Sequence, residues 1–176
     1  MSAAGLRAPD DAKRTLDALT HGVRIGLTDQ PKAARLGNTP NVRRHHAVCQ
    51  ERVEYFNDIA ALEELAEAPA LLQPLHVILR PGKTARLVLD LSRNCNDFVE
   101  RERFHQQRFQ DAIAASSPGC YYGKMDLADC FYSFPVHVDS RHLLAFELGG
   151  RHYRFRRLPM GLSSSPGWCE RFLTVI

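Results

Sequence analysis

The sequence has 176 residues, of which 44% are hydrophobic and 24% are charged, a composition that is typical of a folded globular protein and excludes a largely disordered chain. The formal net charge is +3, and only four of the 23 basic residues are lysines, so that 19 are arginines. The planar arginine side chain suits phosphate groups, but an arginine-rich codon bias produces the same count, and charge alone leaves nucleic-acid binding undecided.

The first predicted element is a short helix over residues 10–22, in which Leu16 and Leu19 share one face and Gly22 ends the helix. The residues that follow, to about position 44, show little periodicity and are typical of a linker or a wrapping arm. We therefore predict a partly flexible N-terminal extension over residues 1–47.

Helices are predicted next, over residues 48–68. Apolar side chains recur there every three residues, which is typical of helices with one buried stripe. Pro69 is expected to end the helical region. The apolar positions are Val53, Phe56, Ile59, Leu62 and Leu65.

Two β-hairpins are predicted, over residues 75–91 and 143–157. A Pro-Gly turn joins the two apolar runs of the first hairpin. In the second, a two-residue Gly-Gly loop specifies one register. Its expected apolar pairs are Phe146 with Tyr153 and Leu144 with Phe155, and its polar face carries Ala145 and Glu147 opposite Arg154 and His152.

Between the hairpins, the pattern predicts a helix over residues 104–116, a turn at Pro118-Gly119 and a strand over 120–127 that ends beside Asp126. A last helix is expected to begin at Ser165-Pro166. Its expected buried stripe is Trp168, Phe172 and Val175 or Ile176. This order of helices, hairpins and isolated strands favours the α+β fold class.

Two aspartates, Asp126 and Asp129, stand in the largely apolar stretch KMDLADCFYSFPV. A buried carboxylate without a partner is costly, so their presence requires an explanation. One explanation is local: Asp126 caps a short turn, and Asp129 supports that turn in the manner of a capping box.

A second explanation comes from three blocks that resemble reverse transcriptases in order and spacing. They are RLVLDLSRNCN (86–96), KMDLADCF (124–131) and DSRHLLAFELGGRHYRFRRLPMGLSSSP (139–166). The style of these blocks is similar to that of retrotransposon enzymes. The resemblance covers residues 48–176 and implies a truncated reverse transcriptase domain. Its implied fold is the fingers and an incomplete palm of a right-hand polymerase, a mostly antiparallel sheet with helices packed on one side.

The resemblance implies that Asp126 is a catalytic carboxylate that binds Mg²⁺ or Mn²⁺, together with the backbone carbonyl of Leu127. Hard oxygen donors of this kind suit magnesium, and two such ions support in-line phosphoryl transfer. The backbone N–H groups of Asp129 and Cys130 are implied to hold the incoming triphosphate, since oriented amides bind anions. Phe131 is implied to be the ring that selects deoxynucleotides, and core packing is its alternative explanation.

Further contacts follow from the same resemblance. Arg86 is implied to contact the triphosphate, with Arg80 or Lys83 as a second basic contact on the hairpin. Met160 lies where the family places a residue close to the nucleotide. Three arginines of the second hairpin are expected to meet nucleic-acid phosphates, or else to form a solvated strand face: Arg151, Arg154 and Arg156.

No Tyr-x-Asp-Asp block, which the family uses for two further carboxylates, occurs in the sequence. The implied function is therefore that of a reverse transcriptase fragment, an RNA-directed DNA polymerase by resemblance that is expected to be inactive as this chain. Its expected partners are an RNA or DNA template-primer and deoxynucleoside triphosphates. The alternatives are a non-catalytic nucleic-acid-binding remnant and a fragment that does not fold stably.

Five cysteines form no Cys-x-x-Cys pair, which favours reduced, intracellular thiols over disulfides or a zinc site. Nuclear and cytoplasmic locations both remain open. The sequence has no run of about 18 apolar residues, so no membrane span is expected.

Overall fold

The computed structural model describes residues 9–100, 104, 109–123 and 126–175. Within them the chain is a mixture of helices and antiparallel strands, as the α+β prediction requires. The helices are α1 (Pro9–His21), α2 (Pro40–Arg44), α3 (His46–Asp58), α4 (Phe109–Ala114) and α5 (Ser165–Val175). The strands are β1 (Leu62–Leu65), β2 (Leu75–Arg80), β3 (Lys83–Leu89), β4 (Ala145–Leu148) and β5 (Arg151–Phe155).

A three-stranded antiparallel sheet has the order β1-β5-β4. Strands β4 and β5 form the predicted glycine-loop hairpin, and Phe146 lies opposite Tyr153 as expected. Leu144 precedes β4, at the end of the 3-10 helix Val138–Leu144, so its expected pairing with Phe155 is not part of the ladder. On its other side, Phe155 pairs with Leu62 of β1.

The prediction of helices over residues 48–68 is wrong for the second half of that range. Helix α3 ends at Asp58, and Ala60 takes a left-handed backbone conformation with φ 53°. The chain then forms β1, in which Leu62 is buried while Glu64 is exposed. The edge of β5 supplies hydrogen-bond partners to this short stretch, and tertiary pairing of this kind overrides a local periodicity.

The first predicted hairpin is confirmed as β2 and β3, a two-stranded sheet with a turn at Pro81-Gly82. Buried Leu75 and Val77 lie opposite buried Leu89 and Leu87. An irregularity in the pairing lies between Ile78 and Arg80. One face of the hairpin thus packs into the core, and its basic tip is exposed.

Helix α1 ends before Gly22 as predicted, since Gly22 has φ 94° and donates its N–H to the carbonyl of Ala18 at 3.0 Å. The apolar pair Leu16 and Leu19 does not supply the buried face. Both are exposed, whereas Thr15 and Ala18 on the adjacent face are buried.

The segment after α1 packs against the rest of the molecule, in agreement with the wrapping arm that the sequence suggests. Val23 forms a parallel bridge with Val136, and Arg35 forms another with Leu72. Val42 of α2 is buried in the same core as the sheets. A domain boundary near residue 47 stays a prediction.

The prediction of a strand over residues 120–127 is wrong for the residues of this range that the structure describes. Tyr121 and Leu127 are exposed and belong to no strand, while Lys124 and Met125 lie outside the described residues. Within the described ranges no strand pairs with this stretch, and an unpaired strand is not stable in water.

The helix predicted over residues 104–116 is present as α4, which is shorter than the predicted range. Part of its expected first turn lies outside the described residues. The predicted turn at Pro118-Gly119 is present, with the N–H of Cys120 donating to the carbonyl of Ser117 at 3.1 Å.

Helix α5 begins at Ser165, as predicted, and buries Trp168 and Phe172. The ring of Phe172 stacks on Phe134 with centroids 4.2 Å apart. The side chain of Val175 and all of Ile176 lie outside the described residues.

Aromatic side chains join α3 to the sheet and to the 3-10 turn Cys130–Ser133. The ring of Phe56 lies 4.5 Å from that of Tyr132 and 5.7 Å from that of Phe155, measured between centroids. Because all three rings are buried, this contact fixes the turn against α3, where the candidate site lies.

Candidate functional site

A cavity of about 650 Å³ lies between α3, the hairpin β2–β3 and the turn after Asp126. It contains every residue that the resemblance singles out for the nucleotide and the metal: Arg80, Lys83, Arg86, Asp126, Leu127, Asp129, Cys130, Phe131 and Met160. Arg80 and Lys83 face each other across the hairpin, so both of the alternative basic contacts line the cavity.

The charges of the lining favour an anion. Four basic side chains, Arg52, Arg80, Lys83 and Arg86, stand against two acids, Asp126 and Asp129, so the formal balance is 4 − 2 = +2. A concave surface with one predominant sign of charge attracts ligands of the opposite sign.

The turn at Asp129 has an unusual backbone. Asp129 has φ 50° and ψ 36°, in the left-handed region, and its carbonyl accepts the N–H of Tyr132 at 2.9 Å. Its side chain makes no cap hydrogen bond to the 3-10 turn Cys130–Ser133 that follows it, and the capping box expected between Asp126 and Asp129 stays a prediction. The carboxylate instead lies 3.5 Å from Nη2 of Arg52.

Arg52 and Tyr55 of α3 also line the cavity, and the sequence patterns did not indicate them. Their spacing of three residues places both on one side of a helix. The contact that would reveal them joins Arg52 to Asp129, which is 77 residues away in the chain, so no local pattern records it.

Phe131 is half-buried, packs against the core and also lines the cavity. Both explanations of this ring therefore have support, since one part of it packs inward while another faces the open space. Beside it, Sγ of Cys130 lies 2.9 Å from Sγ of Cys169 on α5, and both are free thiols. Burial, with a smaller effect of Cys130, raises the pKa of Cys169 to about 12.

Met160 is held by backbone contacts to the end of β3. Its carbonyl accepts the N–H of Leu89 at 2.9 Å. The side chain of Asn96 donates to the carbonyl of the next residue, Gly161, at 2.9 Å, and accepts the N–H of Ser163 at 3.0 Å. These contacts tie Asn96 to the segment that follows Met160, 65 and 67 residues further along the chain.

Asp126 and Leu127 are exposed at the cavity. A carboxylate and a carbonyl are hard oxygen donors of the type that magnesium prefers. Among the residues that the structure describes, however, no group of three or more His, Cys, Asp or Glu side chains is placed to hold a metal ion. The described residues therefore do not form a complete magnesium site.

The three arginines expected to contact nucleic acid lie outside the cavity lining. Acidic side chains of β1 engage two of them: Nε of Arg154 pairs with Glu63, and Nη1 of Arg151 lies 3.8 Å from Glu64. Arg156 is exposed. A phosphate would have to compete with these acids at two of the three positions.

The helices in the described ranges are all too short or too polar to cross a membrane.

Comparison with curated proteins finds similarity to Pol polyproteins over about half of the chain. It is 30% identical over 93 residues to the retrovirus-related Pol polyprotein from transposon 412 of Drosophila melanogaster, a match that covers 53% of this chain and 7% of that protein. It is 29% identical over 93 residues to the Pro-Pol polyprotein of simian foamy virus type 1, covering 53% of this chain and 8% of that protein. The chain thus spans less than a tenth of the length of these curated relatives. No protein-family model matches it.

Comparison with solved structures supports the same relationship at the level of the fold. The foamy viral protease-reverse transcriptase in complex with double-stranded DNA matches with a TM-score of 0.67 at 20% identity, covering 93% of this chain and 31% of that chain. The native protease-reverse transcriptase of prototype foamy virus matches with a TM-score of 0.66 at 21% identity, covering 94% of this chain and 24% of that chain.

Part of the chain is thus similar in sequence to Pol polyproteins of a retrotransposon and a retrovirus, and its fold is similar to that of the foamy viral protease-reverse transcriptases.

Proposed function

We propose that the chain is the fingers and front part of the palm of a reverse transcriptase. The complete enzyme would add deoxynucleotides to a primer 3′ end under the direction of a template. The observation that carries this proposal is the cavity, which gathers all nine residues that the resemblance implicates in nucleotide and metal binding, although they come from three separate segments of the sequence.

Each part of the cavity suits a part of a deoxynucleoside triphosphate. Arg86 and the hairpin-tip cations Arg80 and Lys83 offer charge to the phosphates, and charge-assisted hydrogen bonds from arginine suit phosphate oxygens. Phe131 offers a ring to the sugar. Met160 offers an apolar surface without a hydrogen-bond donor.

Asp126 is proposed to contribute one carboxylate to a magnesium site, beside the carbonyl of Leu127. Magnesium supplies charge neutralisation during phosphoryl transfer when it is bound. Because the described residues do not complete such a site, their proposed part is to bind and orient the nucleotide.

A template-primer is the proposed second ligand. The solved structures that share the fold include the foamy viral protease-reverse transcriptase bound to double-stranded DNA and to an RNA/DNA hybrid. The net charge of +3 is compatible with a nucleic-acid partner.

Nucleotide binding to the full chain tests the proposal. A fluorescent deoxynucleoside triphosphate should bind the wild-type chain, and Arg86→Ala should weaken binding by about tenfold, the loss expected for one charge-assisted contact. Arg44→Ala is the matched control because Arg44 is an exposed arginine outside the cavity, and it should bind as the wild type does. No binding by the wild-type chain, or equal losses in both variants, would contradict the proposal.

A non-catalytic nucleic-acid-binding protein is the second candidate, favoured by the incomplete set of metal ligands in the described residues. It predicts template-primer binding that survives Asp126→Asn and weakens steeply with salt, without any affinity for free nucleotide. Measuring both ligands on the same preparation separates the two candidates.

A further inference from the structure

Arg52 is a buried cation that lies over two aromatic rings. Its side chain retains only 11% of its accessible surface, and its guanidinium carbon lies 4.4 Å from the ring centroid of Tyr55 and 4.7 Å from that of Phe56. A planar guanidinium stacked in this way has a fixed orientation, and cation–π attraction is stronger where water is excluded.

The same guanidinium has few hydrogen-bond partners. Its Nε is buried and has none among the described residues, while its Nη2 points to Oδ2 of Asp129 at 3.5 Å. Burying an arginine costs free energy unless its charge is paired. Asp129 is thus the acid in the described part of the chain to which the Arg52 guanidinium is paired.

Tyr55, three residues further along α3, lines the same cavity, and the Arg52 guanidinium lies over its ring. The partner of the Asp129 carboxylate on α3 therefore does not belong to the turn that contains Asp129.

The backbone at Asp129 gains from such support. Asp129 is one of two non-glycine residues with a positive φ in the described ranges, and the other is Ala60. The left-handed region costs Asp and Asn less than most residues with a Cβ, and surrounding contacts stabilise a residue that adopts it. The turn at Asp129 separates Asp126 from Phe131, so its conformation sets where these two side chains stand in the cavity wall.

We propose that Arg52 is a positioning residue that holds Asp129 in its left-handed turn and thereby fixes Phe131 and Asp126 for nucleotide binding. The inference rests on the proposed function for its ligand, a deoxynucleoside triphosphate. Its structural part, that α3 restrains the turn, concerns the chain without any ligand.

The competing explanation is that Arg52 only covers Phe56 and contributes to the core. The two differ in what Asp129 does. A covering role makes Arg52 and Asp129 energetically independent, whereas a positioning role couples them, and a double-mutant cycle measures such coupling.

The experiment compares the wild-type chain with Arg52→Met, Asp129→Asn and the double variant. Methionine keeps the apolar length of Arg52, and asparagine tolerates the left-handed backbone while losing the charge. Each single variant should weaken binding of the fluorescent deoxynucleotide by about tenfold, and the double variant should bind no more weakly than the weaker single one. Arg52→Lys should restore only part of the affinity, since lysine keeps the charge but not the planar stacking.

A second readout needs no ligand. The amide of Tyr132 donates to the carbonyl of Asp129 at 2.9 Å, and its hydrogen exchange should become about tenfold faster in Arg52→Met. Arg141→Met is the control because Arg141 is also partly buried but lies outside the cavity. It should leave both affinity and Tyr132 exchange unchanged, even where it lowers the unfolding temperature.

The outcomes separate the two proposals. Wild-type binding that Arg52→Met leaves intact, or additive losses in the cycle, would overturn the positioning role and leave the proposed function standing. Absence of binding by the wild-type chain would overturn the proposed function. The exchange rate of Tyr132 would then decide the structural part, and an unchanged rate in Arg52→Met would overturn that part as well.

Discussion

Phe131 shows how one side chain can face two environments. It packs against the core and also lines the cavity, so truncation removes both a packing contact and a wall. In the proposed nucleotide site, the wall is the part that would select the sugar, because a ring under the sugar would leave less space for a 2′-hydroxyl.

Phe131→Ala should therefore narrow the ratio of deoxynucleotide to ribonucleotide affinity by about tenfold or more, the effect of removing a contact of over 1 kcal/mol. The measurement is competition between the two nucleotides for the full chain. Phe109→Ala is a suitable control because Phe109 is 78% exposed and lies outside the cavity. A ratio unchanged from that of the wild type would mean that Phe131 serves the core alone.

Gly161 is restricted by the backbone of β3. A Cβ at this position would lie 1.9 Å from the carbonyl oxygen of Leu89, and its φ is 108°. Replacement by alanine should lower the free energy of unfolding by about 3 kcal/mol, measured by urea denaturation. Gly82→Ala should cost only about 1 kcal/mol, since Gly82 also has a positive φ but nothing stands near its Cβ. Equal losses would contradict a steric role for Leu89.

At the scale of elements, α5 depends on its buried stripe. Phe172 is fully buried and Leu173, its neighbour, is 47% exposed. Phe172→Ala should cost about 4 kcal/mol of unfolding free energy because it leaves a cavity beside Phe134. Leu173→Ala should cost about 0.5 kcal/mol or less. Chemical denaturation of both variants checks the pair, and similar midpoints would show that α5 does not pack as described.

The wrapping arm has an ion pair that responds to acid. Arg24 lies 2.8 Å from Asp139, and its hydrogen bond is the main effect that lowers the pKa of Asp139 below 3.8. A carboxyl group whose pKa is lower in the folded state stabilises that state above its unfolded pKa, and this contribution is lost as the pH falls through the folded pKa.

The unfolding temperature of the wild-type chain should therefore exceed that of Asp139→Asn near neutral pH. The difference should shrink as the pH falls below about 4. A difference that persists at lower pH would show that the pair does not act through its charge.

The sequence-based predictions were accurate where the interactions join residues close together in the chain, and less accurate where they join distant residues. The turn of the first hairpin, the register of the second and the start of α5 depend on glycine and proline positions within a few residues, and these predictions are confirmed. Strand β1 was predicted as a helix because its partner, β5, lies far along the chain. The stretch 120–127 has strand-like residues but no partner in the described ranges.

The candidate site divides in the same way. The motif residues could be identified from the sequence because each lies in a short block, and the fold brings these blocks to one cavity. Arg52 escaped prediction because its contact with Asp129 joins residues 77 positions apart in the chain.

For the whole molecule, charge governs the expected nucleic-acid binding. Affinity for a template-primer should fall as salt rises, and Arg156→Gln should reduce the slope of log affinity against log salt by about one if Arg156 contacts a phosphate.

Arg154→Gln should lower stability more than it changes the slope, because it leaves Glu63 without its partner. Fluorescence anisotropy over a salt series gives both slopes, and equal slopes for all three proteins would exclude Arg156 from the interface.

The position of β1 beside β5 has a consequence for how the chain folds. Leu62 pairs with Phe155, 155 − 62 = 93 residues later, and the arm adds a bridge from Val23 to Val136. Contacts between distant residues must close long loops before they contribute energy, which slows folding. The β4–β5 hairpin closes over two residues and can form early. We therefore expect β1 to dock late, on a hairpin that is already in place.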